Sequence, residues 1–192
     1  MNTEMLNALK EKAHTWAVGH GFYDEIKPDA FYLGLVMSEA GEAINADRKG
    51  RHADTKRFEE VMEMRCISPR VAFEENIKDS VEDEIADIVI RLLDFAGLKG
   101  FFMFSHKLPY PDTGRVCGMF DKSGLSGALF LLMSALADAL DFGELSVFVS
   151  NIIATFSACF GKMTGSDKDL WWFVEKKMAY NDLRPRLNGK KY

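Results

Sequence analysis

Residues 80–96 read SVEDEIADIVIRLLDFA, and this stretch decides the fold. Isoleucine, leucine, valine, alanine and phenylalanine occupy nearly the whole helical wheel from Ile85 to Ala96. The exceptions are Glu84, Asp87, Arg91 and Asp94, which at about 100° per residue fall within an arc of about 80°. Nothing alternates with a period of two, so a strand is excluded, and Gly97 and Gly100 mark the end of a helix. A helix that is apolar on almost every side belongs inside a bundle. Its narrow charged stripe is either a solvated edge or an interior polar groove, where carboxylates are expensive to bury unless they are paired or bind cations.

The helix before it, from Pro28 and Asp29 to about Lys49, repeats the theme. Ser38, Glu39, Glu42 and Asn45 lie within about 120° of one another, among apolar neighbours such as Val36, Ala40 and Ala43. Each helix therefore carries two carboxylates at i and i+3, one turn apart on one face. Packed together, the two helices bring Glu39, Glu42, Glu84 and Asp87 into one cluster. Like charges that close need a counter-charge, and hard divalent cations, Mg²⁺ or Mn²⁺, prefer such oxygen ligands. One such pair alone is more often a solvated helix face.

The rest of the chain is also helical in pattern, and the class is all-α. Helices are expected at about 3–18, 55–64, 125–140, 145–160 and 167–182, with residues 101–123 as a long loop. The polar stretch 51–79 is broken at Ser68-Pro69. A single domain over residues 1–192 results, a helical bundle with an inserted apolar helical hairpin at about 101–165. The uncharged run 145–160 falls short of the roughly 20 residues that cross a bilayer, and reads as a core helix.

Hydrophobic residues at 47% and charged residues at 28% fit an ordinary soluble globular protein. A net charge of −5 excludes a global attraction to nucleic acid polymers or anionic membranes, so any phosphate recognition must be local or metal-mediated. Cys66, Cys117 and Cys159 are odd in number and form no CxxC, which indicates neither a disulfide framework nor a zinc knuckle. The opening MNTEMLNALKEKAHTW lacks the apolar core of a signal peptide, and the expected location is cytoplasmic.

Three separated segments carry a resemblance. LVMSEAGEAINADRKG (35–50) and EDEIADIVIRLLDFAG (82–97) resemble the paired ExxE and ExxD helices of the MazG-like, all-α NTP pyrophosphatase superfamily. KKMAYNDLRPRLNGKKY (176–192) is similar to the closing motif of one of its branches. The resemblance implies magnesium-dependent cleavage of a (d)NTP between the α and β phosphates, with Glu39, Glu42, Glu84 and Asp87 as catalytic metal ligands. It further implies that Lys177, Asn181 and Arg184, at i, i+4 and i+7 on one helical face, bind phosphates or sugar. The expected partner is a nucleoside triphosphate and the expected assembly a homo-oligomer, most simply a dimer. The alternative is a non-catalytic metal- or nucleotide-binding helical scaffold or sensor. The chain departs from the pattern at Ser38, in the long gap between Glu42 and Glu84, and in the apolar hairpin before the closing motif.

Other polar and aromatic groups have plainer readings. His14 and His20 read as surface histidines and Trp16 as a core tryptophan; the alternative, implied by the resemblance, is that this region lines a base pocket. Of Trp171 and Trp172, one is expected to pack inward and one to cover surface, the alternative being that they stack a base. Ser134, Asp138 and Asp141 read as a solvated or interface face, in preference to a second metal site.

Overall fold

In chain order the helices are α1 (Thr3–Gly19), α2 (Asp29–Arg48), α3 (Thr55–Met64), α4 (Pro69–Asn76), α5 (Val81–Leu98), α6 (Thr113–Phe142), α7 (Leu145–Thr164) and α8 (Leu170–Asn181). The computed structural model describes residues 1–65, 67–104 and 112–185, and these contain no strand. Helix α5 is the axis of the bundle and packs against α1, α2, α7 and α8. Ile85, Ile88, Leu92 and Leu93 are wholly buried. Full burial of such a side chain is worth about 1.5–3 kcal/mol over exposure, so α5 anchors its neighbours.

The start of α5 is built by its own acids. Ser80 Oγ accepts from the Asp83 backbone N–H at 3.2 Å. Glu82, Asp83 and Glu84 all stand in the first turn, where the helix dipole favours negative charge. Buried Glu82 reaches across to accept from the Ala53 N–H at 2.9 Å and pairs with His52 Nδ1 at 2.9 Å, pinning the segment before α3.

Close approach of α1 to α5 depends on Gly97. A Cβ there would stand 2.4 Å from the Cβ of His14, so only glycine lets α1 lie this near.

Two expectations from sequence are corrected. The Ser68-Pro69 break begins a helix: Ser68 Oγ accepts from the Val71 N–H at 3.3 Å and proline occupies the first turn of α4. The stretch 101–123 is not a continuous loop, because α6 starts at Thr113, capped by Asp112. Gly124 (φ 65°, ψ −164°) kinks α6, and this left-handed turn puts the two halves out of angular register, which hides the helical period from a reader of the sequence. Residues 105–111 lie outside the described residues.

The lengths of the apolar helices also change the membrane argument. Thr113–Asp141 and Leu145–Thr164 are long and apolar enough to cross a membrane by length and composition, with 44% and 56% of their apolar windows buried in the bundle. Shortness therefore no longer excludes a span. Within the bundle α6 packs against α7 and α2, and α7 also against α5 and α8. Cys117 on α6 and Cys159 on α7, distant in sequence, bring their sulfurs to 2.7 Å. Cys66 lies outside the described residues.

Candidate active site

Helices α2, α5 and α8 converge on a cavity of about 220 Å³. It is lined by Glu39 and Glu42 from α2, Glu84, Asp87 and Arg91 from α5, Lys177 and Asn181 from α8, and Arg184 just beyond it. The seven residues singled out from sequence thus share one cavity. Within it they are not equivalent. Glu39, Glu42 and Glu84 offer carboxylate oxygens that all lie within 4.8 Å of one another. Asp87 instead faces Lys177, with its Oδ2 2.7 Å from Nζ. The even four-carboxylate cluster expected from helix faces is therefore a group of three plus an ion-paired aspartate.

Three residues outside the seven expected for the site complete this network. Asp83 accepts from Lys177 Nζ through both carboxylate oxygens at 2.8 Å. Arg91 donates from Nε to Glu39. Asp79, in the left-handed backbone region at φ 59°, donates its N–H to Asp83 at 2.9 Å and forms a second close acidic group with Asp83 and Glu84. A signal for Asp83 was present in sequence: three consecutive acids open a helix otherwise too apolar to face water. Nothing in the sequence marked Asp79, whose place depends on the turn between α4 and α5.

The electrostatics are those of a site with too much negative charge. Burial, reinforced by Asp87 and Asp83, pushes the Glu84 carboxyl up to about 9. Burial likewise raises Glu39, with Asp87 adding to it and Arg91 opposing. Asp83 rises to about 6 through burial, against the pull of Lys177. Burial alone would lower Lys177, but Asp87 and Asp83 hold its ammonium well above the usual range. Each raised carboxyl marks a position where a proton or a cation is favoured. An all-oxygen donor set of this kind fits a hard divalent cation.

Lys177, Asn181 and Arg184 differ in how far they are already engaged. Lys177 is already committed to two aspartates. Asn181 is buried, with its Oδ1 3.4 Å from a half-buried Arg184 guanidinium that also lies over the Tyr180 ring. Residues 186–192, including the basic end of the closing motif, lie outside the described residues.

A second, larger cavity of about 610 Å³ adjoins the first and shares Phe22, Arg91 and Asp94 with it. Aromatic rings from the turn after α1 and from α2 and α5 make up much of its wall, among them Phe22, Tyr23, Phe31 and Tyr32. Asp94 stands at the junction, with Oδ1 2.9 Å from His14 Nδ1 and the Tyr23 hydroxyl near enough to act on its carboxylate. Burial pushes the Asp94 carboxyl up, and His14 and Tyr23 oppose it. His14 is therefore not a surface histidine. Trp16 lines the carboxylate cavity, stacks on His20 at 4.0 Å, and keeps a buried Nε1–H without a hydrogen-bond partner among the described residues. Trp171 and Trp172 line neither cavity and are both half-buried: Trp171 donates to Ser157 at 3.0 Å, and Trp172 packs edge-on to Phe58. Asp138 and Asp141 are exposed, as expected.

No family model, curated protein or solved structure matches this chain.

Proposed function

We propose that the protein is a divalent-metal-dependent nucleoside triphosphate pyrophosphohydrolase, releasing pyrophosphate and a nucleoside monophosphate. One observation carries this reading: a single cavity joins three clustered carboxylates to the basic and amide groups of Lys177, Asn181 and Arg184. The resemblance of residues 35–50, 82–97 and 176–192 to the MazG-like pyrophosphatases supports it from sequence.

Glu39, Glu42 and Glu84 are the residues to hold Mg²⁺ or Mn²⁺, with Asp87 joining them if Lys177 turns to the substrate. The metal supplies charge neutralisation of the triphosphate and a more acidic water. Glu84 gives up its proton as the site takes on positive charge, since a ligating carboxylate must be ionised. Arg184 offers a planar fork to a phosphate, and Lys177 a point charge. Arg91, bonded to Glu39, fixes that carboxylate against α5. The same reading makes the protein cytoplasmic and a homodimer acting on free nucleotide.

The internal ion pairs favour one competing reading. Lys177 and Arg91 already compensate Asp83, Asp87 and Glu39, as a non-catalytic scaffold or sensor would require. Incubation with a panel of NTPs and dNTPs and Mg²⁺, with products separated by chromatography, decides between them. Equal amounts of monophosphate and pyrophosphate are expected. Metal binding without turnover of any nucleotide gives the site to the scaffold.

A further inference from the structure

We propose that the aromatic cavity beside the carboxylates receives the nucleobase, and that Asp94 selects guanine there. The proposal rests on the nucleotide reading of the adjoining cavity and names its substrate class.

Position comes first. The two cavities meet at Phe22, Arg91 and Asp94, so a nucleotide with its phosphates among Lys177, Asn181 and Arg184 has the larger cavity next to it. About 610 Å³ is within the usual range of small-ligand sites. Phe22, Tyr23 and Phe31 provide flat apolar surfaces of the kind on which bases stack.

Selection follows from Asp94. Its side chain is only 22% exposed and is held in place by His14 on α1, with the Tyr23 hydroxyl nearby. Gly97, one turn further along α5, is what lets α1 bring His14 there. A carboxylate has about four acceptor positions, and the bond to His14 leaves others for a ligand. Guanine presents N1–H and N2–H side by side, a parallel pair that matches one carboxylate. Uracil and thymine present a single N–H between two carbonyl oxygens, which a carboxylate repels. Adenine and cytosine pair their amine with a ring acceptor that finds no donor on an ionised Asp94. A site built to accept hydrogen bonds rejects analogues that lack the donors.

The experiment measures kcat/KM for dGTP, dITP, dCTP and dUTP with Mg²⁺, together with calorimetric binding of GMP and UMP. Wild type is expected to prefer dGTP over dUTP by about tenfold or more, with dITP between them, the usual worth of a bidentate base contact. In Asp94→Asn the ratio of dGTP to dUTP turnover falls about tenfold, mostly through KM. Tyr23→Phe, which keeps the ring and removes the hydroxyl near Asp94, lowers the same ratio less. Equal loss for all four nucleotides in Asp94→Asn, or a wild-type preference for dUTP, overturns the proposal. Should no nucleotide be turned over, GMP binding over UMP that Asp94→Asn abolishes keeps the guanine site while the hydrolase reading falls. Equal or absent binding of the two monophosphates removes the guanine site.

Discussion

Replacing Lys177 with methionine probes the buried charge network directly. Lys177 is 4% exposed and Asp83 1%, and one ammonium serves both Asp83 oxygens at 2.8 Å and Asp87 at 2.7 Å. Methionine keeps most of the aliphatic bulk but leaves Asp83 buried without its cation, which costs about 3–5 kcal/mol. The pH dependence identifies the cause. With Lys177 present, burial sets Asp83 at about 6, above its ordinary 3.8. Without it the folded-state value rises further, while the unfolded value stays where it was. Below pH 6 both proteins carry the proton on folded Asp83, and their stabilities change with pH in parallel. Above pH 6 the wild type has ionised, whereas the folded variant still holds a proton that its unfolded chain has released. Stability of the variant therefore falls relative to wild type by about 1.4 kcal/mol per pH unit from pH 6 upward. Urea unfolding in chelator at pH 6, 7 and 8 measures this. A deficit that is the same at all three pH values, or larger at pH 6, refutes the network as drawn.

Three further outcomes follow from the same geometry. Between pH 4.5 and about 9 the folded metal-free protein holds a proton on Glu84 that the unfolded chain has lost, so stability falls as pH rises through that window. Glu84→Gln is expected to flatten this slope and to gain about 1–2 kcal/mol at pH 8 in chelator, and an unaltered slope in chemical unfolding contradicts it. Mg²⁺ uptake is expected to release a proton and to tighten with pH toward 9, shown by calorimetry in buffers of different ionisation enthalpy; zero proton release counts against Glu84 as a ligand. Gly97→Ala forces its Cβ against His14 and is expected to cost about 1–3 kcal/mol, lowering Tm by roughly 3–9 °C, whereas a raised Tm shows that α1 and α5 have room.

Much of this molecule could be read from residues 80–96. Their apolar wheel implies a central helix, and α5 is one. The i, i+3 acids imply a shared face with α2, and Glu39, Glu42 and Glu84 meet there. What escaped had physical reasons. The kink at Gly124 breaks the period of α6, and proline at the first turn of α4 looks like an interruption. Helix faces alone do not show which acid takes the internal cation, so Asp87 and Glu84 looked alike until Lys177 was placed. Asp94 looked like a stray end of the stripe because its partner His14 and its neighbour Tyr23 come from α1 and from an aperiodic turn.

The measurement closest to the carboxylate cavity is pyrophosphate release from Mg²⁺-bound dNTPs by wild type and by folded Glu84→Gln. Wild type should release one pyrophosphate per monophosphate and lose this in chelator, and the variant should be slower by more than about 100-fold. Equal rates in the two proteins, or release of orthophosphate in place of pyrophosphate, contradict the assignment.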